Sequence, residues 1–133
     1  ITIMTSWIFI MTGTIEDFTE RITNGKWPIY KLTQNRFKIK KNDDIVFYLA
    51  GPNNWKILGN AKLSSNVKKE SKNGDGDIEI SDVDLWKNPV LVKDNVESLD
   101  FVKNKNNWGA YFQGGVKSLD TKGYKQILNL NVN

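Results

Sequence analysis

The chain contains 133 residues, 39% of them hydrophobic and 26% charged, with five Trp, no Cys, no His and a net charge of +4. At roughly 100–200 residues per domain this is the length of one domain, residues 1–133, and its apolar content suits a packed core rather than a disordered chain. Without Cys or His there is no disulfide framework, thiolate or imidazole metal site, Cys nucleophile or Ser-His-Asp triad, which leaves carboxylate, Lys and oxygen-ligand metal chemistry for catalysis.

No run approaches the ~18 apolar residues of a membrane span, and the opening ITIMTSWIFIMTG lacks the basic region and cleavage site of a secretory signal. A soluble, cytoplasmic protein is expected, with Met4 as its natural start. Ser6 to Thr12, rich in β-branched and aromatic residues and stopped by Gly13, reads as a buried first strand. Thr14 is placed to cap a helix carrying Ile15, Phe18 and Ile22 on one face, with acids in its early turns and an end at Asn24-Gly25. Lys26 to Tyr30 follows as an extended segment, because the proline at 28 pushes Trp27 out of the helical region.

The nearly unbroken apolar run Ile45 to Ala50 predicts a strand covered on both faces, returning through Gly51-Pro52-Asn53-Asn54 into Trp55 to Leu63 as a hairpin. Asn66 to Asp77 reads as a mobile polar loop, Ile78 to Ser81 as an edge strand, and Val90 to Val92 as another short strand. Val96, Leu99 and Val102 fit a helical turn, Trp108 to Phe112 a final strand, and Ser118 the cap of a C-terminal helix that buries Leu119, Tyr124, Ile127 and Leu128. The elements sum to an α+β domain: a small, strongly curved β-sheet or barrel of about five to six strands flanked by short helices.

Charge is segregated along the chain. Residues 1–20 carry −3, residues 21–69 carry +9, residues 70–100 carry −6 and residues 101–133 carry +4. Two basic pieces on one face would offer a polyanion a positive surface, nucleic acid first among them; a solvated Lys-rich surface that only keeps the domain soluble explains the same pattern. Seventeen of the nineteen bases are Lys, which suits phosphate attraction better than bidentate reading of base edges.

Of the five Trp, Trp7 lies within the first strand and reads as core, and Trp86 as a cover over the core from an acidic edge region. Trp27, Trp55 and Trp108 each adjoin a turn or polar stretch, where a large amphipathic ring is often a contact residue. With Tyr30, Tyr48 and Tyr111 they could supply the ring walls of an aromatic cage for a planar or methylated group. Asp75, Asp77 and Glu79 alternate as acids but lack the spacing of a calcium loop. The glycine pairs match neither a phosphate loop nor a dinucleotide fingerprint, and no catalytic constellation emerges.

An N-terminal SWIFI strand, KWPIY after the first helix, the lysine-rich approach KIKKNDDIVFYLAG and the return ILGNAKLSS together resemble the EVE domain, a family of the PUA-like superfamily related to YTH domains. The stretch LDFVKNKNNWGAYFQGGVKSLDTKGYKQIL is similar to the closing pattern of that family. The resemblance spans residues 5–130 and implies a PUA-like β-barrel that takes a modified base, chiefly modified cytosine in DNA, flipped from the stack. It places Trp27 as the pocket Trp, Thr12 with Met11 beside it as pocket-facing residues at the end of the first strand, and Tyr48 to Gly51 at the Tyr-His-Ser strand end of the family, with Leu49 in place of the His.

The expected site is therefore a base pocket of Met11, Thr12, Trp27, Tyr30, Tyr48, Gly51, Asn53, Trp55 and Trp108, with Thr12 and Asn53 reading the base edge. Arg36, Lys38, Lys40, Lys41, Lys103 and Lys105 are expected to hold the phosphates. The expected function is non-enzymatic recognition of methylated or hydroxymethylated cytosine, without cofactor or membrane, as the sensor of a modification-dependent restriction system with a motor or nuclease partner. The alternatives are an RNA-binding PUA-like domain, an N6-methyladenine reader of the YTH type, and a hydrolase of modified nucleosides working through Asp43, Asp44 or an acid of residues 75–84.

Overall fold

A computed structural model of the chain describes residues 5–68 and 75–131. Among them the elements run β1 (Ser6–Thr12), α1 (Ile15–Asn24), β2 (Lys26–Ile29), β3 (Asp44–Ala50), β4 (Lys56–Leu63), β5 (Gly76–Leu91), β6 (Val116–Leu119) and α2 (Thr121–Leu128), with 3-10 turns at Val92–Asp94, Val96–Ser98 and Lys105–Ala110. The strands form one sheet in the order β2-β5-β4-β3-β1-β6. β1 and β3 run parallel, and the other pairs are antiparallel.

The sheet curls on itself. β2 and β1 stand four strand steps apart in the sheet order, about 19 Å at the usual spacing if the sheet were flat. Yet the rings of Trp27 on β2 and Phe9 on β1 lie 5.6 Å apart. The bend is taken up by the 16-residue β5, which pairs with β2 at its start and with β4 beyond, through irregular registers at Ile57/Gly59 and Asn60/Lys62. Gly59 sits at the first of these, where an added Cβ would collide with the backbone of Asp84.

Strand alternation divides the apolar residues between two clusters, where composition suggested one core. Trp7, Phe9 and Met11 of β1 join Phe18, Trp27, Ile45, Phe47 and Leu49 inside the curl. Ile8 and Ile10 join Val46, Tyr48, Trp86, Phe112, Leu119 and Ile127 on the outer face, under the 3-10 turns and α2. β3 is buried from Ile45 to Leu49, as its unbroken apolar run predicts. Trp7 and Trp86 are both core residues; their indole N–H groups donate to Asp43 Oδ2 (2.8 Å) and Asn60 Oδ1 (2.9 Å).

The first half of the chain follows the sequence expectations closely. β1 has the predicted bounds, and α1 begins at Thr14 with a reciprocal capping box in which Thr14 Oγ1 accepts from Asp17 N and Asp17 Oδ2 accepts from Thr14 N. The helix ends at Gly25 in the left-handed conformation, φ 67°. The second half departs. The strand expected at an edge over 78–81 and the first two residues of the one expected at 90–92 belong to the single strand β5, which lies between β2 and β4, and Val92 opens the first 3-10 turn. The strand expected at Trp108 to Phe112 lies largely in a 3-10 turn, because Asn104 Oδ1 accepts from Asn107 N and closes a turn in a segment with no β-branched residue; the last strand is β6. Asp120 rather than Ser118 caps α2, its Oδ1 accepting from Gly123 N at 2.6 Å. Of the polar loop expected at 66–77, residues 69–74 lie outside the described residues.

Candidate base-binding site

Two adjoining cavities open where the C-terminal end of β1 meets α1 and β2. The larger is a groove of about 730 Å³ lined by Met11 and Thr12 of β1, Asp17, Glu20, Arg21 and Asn24 of α1, Lys26 and Pro28 of β2, and Gly76 and Asp77 of β5. The smaller is a recess of about 190 Å³ that shares Met11, Thr12, Arg21 and Pro28 and adds Ile10, Trp27, Tyr30, Thr33, Gly115 and Val116. It is smaller than the ~300–1,000 Å³ clefts that hold drug-sized ligands and is of the scale of a single planar ring.

The walls follow from local structure. β1 ends where its parallel register with β3 sets Thr12 beside Ala50, and the turn beyond is tied back by Asn54, whose Nδ2 donates to Gly13 O (3.2 Å) and Ala50 O (3.0 Å). Asp17, Arg21 and Asn24 recur at i, i+4 and i+7 on α1, so they share the face turned to the groove while Phe18 packs inward. Arg21 carries its guanidinium over the Trp27 ring at 4.6 Å, which fixes a cation at the junction of the two cavities. Asp77, opposite Pro28 in the β2–β5 register, has its Oδ1 buried with no hydrogen-bond partner among the described residues.

Of the expected pocket residues, Met11, Thr12, Trp27 and Tyr30 line the recess together, but Trp27 is only 2% exposed. Its ring lies against Phe9, Phe18 and Phe47, stacked on the last at 5.3 Å, so it is the floor of the recess and a member of the core. Tyr30, 53% exposed, stands at the rim.

The other expected pocket residues lie elsewhere. Tyr48 follows Phe47 on β3 and faces the outer side of the sheet, where it stacks on Phe112 at 4.6 Å; burial pushes its hydroxyl pKa up to about 12. Trp108 meets the same Phe112 edge-on at 6.1 Å, and Tyr111 lies 5.2 Å from it. These rings are packing partners of the second core, so a cage of Trp27 and Tyr48 with Trp108 or Trp55 does not form. Gly51, Asn53 and Trp55 occupy the β3–β4 turn, each at positive φ, and line neither cavity; Gly51 instead lets the turn approach the Thr12 methyl.

The expected phosphate contacts divide similarly. Arg36 is buried, its Nη1 donating to the carbonyls of Tyr30 (3.3 Å) and Lys31 (2.9 Å). Lys105 Nζ donates to the carbonyls of Val96 and Leu99, bracing the 3-10 turns. Lys40 Nζ donates to Thr5 Oγ1 at 2.7 Å and pairs with Asp43 at 3.1 Å. Lys38, Lys41 and Lys103 are exposed, Lys103 beside a separate depression with Phe101, Asn104 and Tyr111. The carboxylates weighed for catalysis have structural partners: Asp43 accepts from the Trp7 indole and from Lys40 N, and Asp44 pairs with Lys62 at 2.8 Å. No group of three or more Asp or Glu among the described residues is placed to hold a metal ion.

Sequence reasoning missed Arg21, Asp17, Glu20, Lys26, Pro28 and Thr33, and read Asp77 as part of an acidic loop and among the acids of a hydrolase rather than as a lining residue of this groove. The polar face of the first helix carried a signal: an acid, a base and an amide at i, i+4 and i+7, opposite the apolar stripe.

No protein-family model matches the chain, and no curated protein matches it in sequence. Solved structures do. Rpa0253 from Rhodopseudomonas palustris superposes with a TM-score of 0.71 at 11% identity, covering 96% of this chain and 92% of that one. Human THYN1, solved in complex with DNA containing 5-methylcytosine, gives 0.67 at 11% identity over 97% and 98%. The YTH domain of Zygosaccharomyces rouxii MRB1, solved with N6-methyladenosine RNA, gives 0.60 at 15% identity over 96% and 88%. The curled six-stranded sheet with its short helices is thus the small α+β barrel fold of these solved structures, the YTH domain among them.

Proposed function

We propose that the protein is a non-enzymatic module that binds a flipped, modified nucleobase in the recess above Trp27, with methylated or hydroxymethylated cytosine in DNA as its preferred ligand. The observation that carries the reading is the recess itself. It has the scale of one ring, an apolar floor of Met11, Trp27 and Pro28, and a rim bearing the hydroxyl groups of Thr12, Tyr30 and Thr33. An apolar floor gains from an added methyl group, and polar rim groups read a ring edge. Arg21 supplies fixed donors at the mouth. The buried Asp77 Oδ1 in the adjoining groove is an acceptor that suits the exocyclic amino group of cytosine or adenine.

A binding rather than a catalytic role is supported by the engagement of Asp43 and Asp44 in the core and at a surface ion pair. Two proteins of the same fold were solved with methylated nucleic acids, one with DNA and one with RNA. The test is fluorescence-anisotropy binding of a short duplex with cytosine, 5-methylcytosine, 5-hydroxymethylcytosine or N6-methyladenine at one position, beside matched single strands and RNA. The expected result is a several-fold preference for a modified cytosine that Thr12→Val or Tyr30→Ala reduces without loss of fold. Equal binding of all strands would reject the reading, and a preference confined to RNA would replace DNA as the ligand. A sensor role in a restriction system would further require a motor or nuclease partner.

A further inference from the structure

The loop from Tyr30 to Lys41, between β2 and β3, leaves its two large apolar side chains in water. Leu32 is 88% exposed and Phe37 is 89% exposed. A scattered exposed Leu needs no explanation, but two such residues on one braced loop beside a cavity do.

The loop is held throughout. Tyr30 N donates to Thr33 Oγ1 and Thr33 N to Tyr30 O, each at 3.0 Å. Lys31 N donates to Asp75 Oδ1 at 2.7 Å, and the buried Arg36 holds the Tyr30 and Lys31 carbonyls from within. Asn35, at φ 63°, donates through Nδ2 to Val116 O at 2.9 Å and accepts from the N–H groups of Lys38 and Ile39 at its own carbonyl. Ile29 and Ile39 anchor both ends in the core. Burying a Leu or Phe side chain stabilises a fold, and this loop forgoes that gain twice while its backbone is pinned. Its near end, Tyr30 and Thr33, lines the recess.

Residues 30–41 carry five bases and no acid, and Lys31, Lys38 and Lys41 are exposed around the two apolar side chains. Protein–protein interface cores are depleted in Lys, whereas duplex DNA presents phosphates on either side of an apolar base stack. Apolar wedges entering between base steps are a recurrent way to open that stack.

We propose that this loop is a wedge for double-stranded DNA: Phe37, with Leu32 beside it, enters the gap left in the stack when a base moves into the recess, while Lys31, Lys38 and Lys41 hold the flanking phosphates. The inference rests on the base-binding reading and adds the substrate form, a duplex rather than a single strand, and the residues that open it.

The test uses the full chain with Phe37→Ser and Leu32→Ser, both almost wholly exposed positions, the Phe37 ring having the Arg36 guanidinium at 5.0 Å, with circular dichroism to check that each variant keeps its fold. The probes are a 5-methylcytosine duplex with 2-aminopurine next to the modified base, its unmodified counterpart, and the modified strand alone. The wild type is expected to raise 2-aminopurine fluorescence on binding the duplex. Phe37→Ser is expected to abolish that rise and weaken duplex binding about tenfold, with single-strand binding changed less than twofold. An equal loss on duplex and single strand overturns the wedge in favour of a simple contact surface. Unchanged duplex binding, or loss of self-association instead of DNA binding, overturns it as well. If the wild type binds the modified and unmodified duplexes equally while Phe37→Ser abolishes the 2-aminopurine rise on both, the preference for a modified base is overturned while the loop is still what opens the stack.

Discussion

Trp27→Ala removes an indole that is at once the floor of the recess and a core side chain, so its effect on stability must be known before its effect on binding is read. Truncating a buried Trp costs about 3–5 kcal/mol through lost burial and the cavity left behind. Here the ring also meets Phe9, Phe18 and Phe47 at 5.6, 6.3 and 5.3 Å, and such pairs add about 0.5–1.5 kcal/mol, which places the loss toward the upper end, about 4–5 kcal/mol. Against a typical domain stability of about 5–15 kcal/mol this is a large share. With a urea slope of about 2 kcal/mol/M the unfolding midpoint should fall by about 2–2.5 M, measured by far-ultraviolet circular dichroism because the substitution alters Trp fluorescence. Tyr30→Ala, at the exposed rim, should move the midpoint by less than about 0.3 M, since such surface changes stay within ~0.5 kcal/mol. A fall of under about 0.5 M for Trp27→Ala, accompanied by loss of modified-base preference, would refute the core assignment and make Trp27 a free-standing contact ring.

Asp43→Ala is expected to cost about 2–4 kcal/mol, because it leaves the Trp7 indole and the Lys40 backbone N–H without their acceptor, whereas Asp44→Asn loses only a partly exposed pair with Lys62 worth under about 1 kcal/mol; equal urea midpoints for the two variants would refute the buried network. Burial pushes the pKa of Tyr48 and of Tyr124 up to about 12, so the folded state favours their neutral form; stability is intact below pH 10, the ordinary tyrosine value, and falls as pH rises from 10 to 12. Urea midpoints between pH 8 and 12 check this, and Tyr48→Phe should lessen the alkaline fall. Lys41→Ala should reduce the slope of log affinity against log salt by about 0.9 with no stability change, whereas Lys105→Ala, which strips the donor from two buried turn carbonyls, should lower stability and leave the slope alone.

Where local chemistry determined the structure, the sequence was legible. The Thr14 capping box, Gly25 at the end of α1, the apolar run of β3 and the hairpin to β4 are all written within a few residues of the elements they define. The outcome for the aromatics depends instead on which side of a strand each occupies once the sheet has curled. Phe47 and Tyr48 are neighbours in sequence, yet alternation sends one to Trp27 and the other to Phe112. The lysines differ for a similar reason. Lys105 and Lys41 look alike in a charge count, but the carbonyls that engage Lys105 exist only after the turns of 92–98 have formed. The length of β5 is hidden in the sequence because Asp82, Asp84 and Pro89 interrupt its apolar alternation, whereas the irregular β4–β5 register accommodates them along a bending strand.

The charges around the groove decide how a nucleic acid can approach. Asp17 and Glu20 on α1 and Asp77 on β5 line it together with Arg21 and Lys26, a net charge of −1, while the bases of residues 30–41 follow from the recess. Unit charges 4 Å apart interact by about 1 kcal/mol in water, and screening erases the effect beyond ~8–10 Å at physiological salt. The acids therefore repel a phosphate backbone laid along α1 without influencing one held at the basic loop. A nucleobase, which carries no charge, passes between the two regions, and Arg21, stacked on Trp27, stands at the boundary as the cation of α1 that lines the groove. Glu20→Gln accordingly opens a second, unproductive approach. Affinity for unmodified duplex should rise at low salt, the difference should vanish by about 0.3 M salt, and the preference for a modified base at physiological salt should be unchanged. Were Glu20→Gln to abolish that preference, the acid would be reading the base itself, and the separation of an uncharged entry path from a charged landing surface would be wrong.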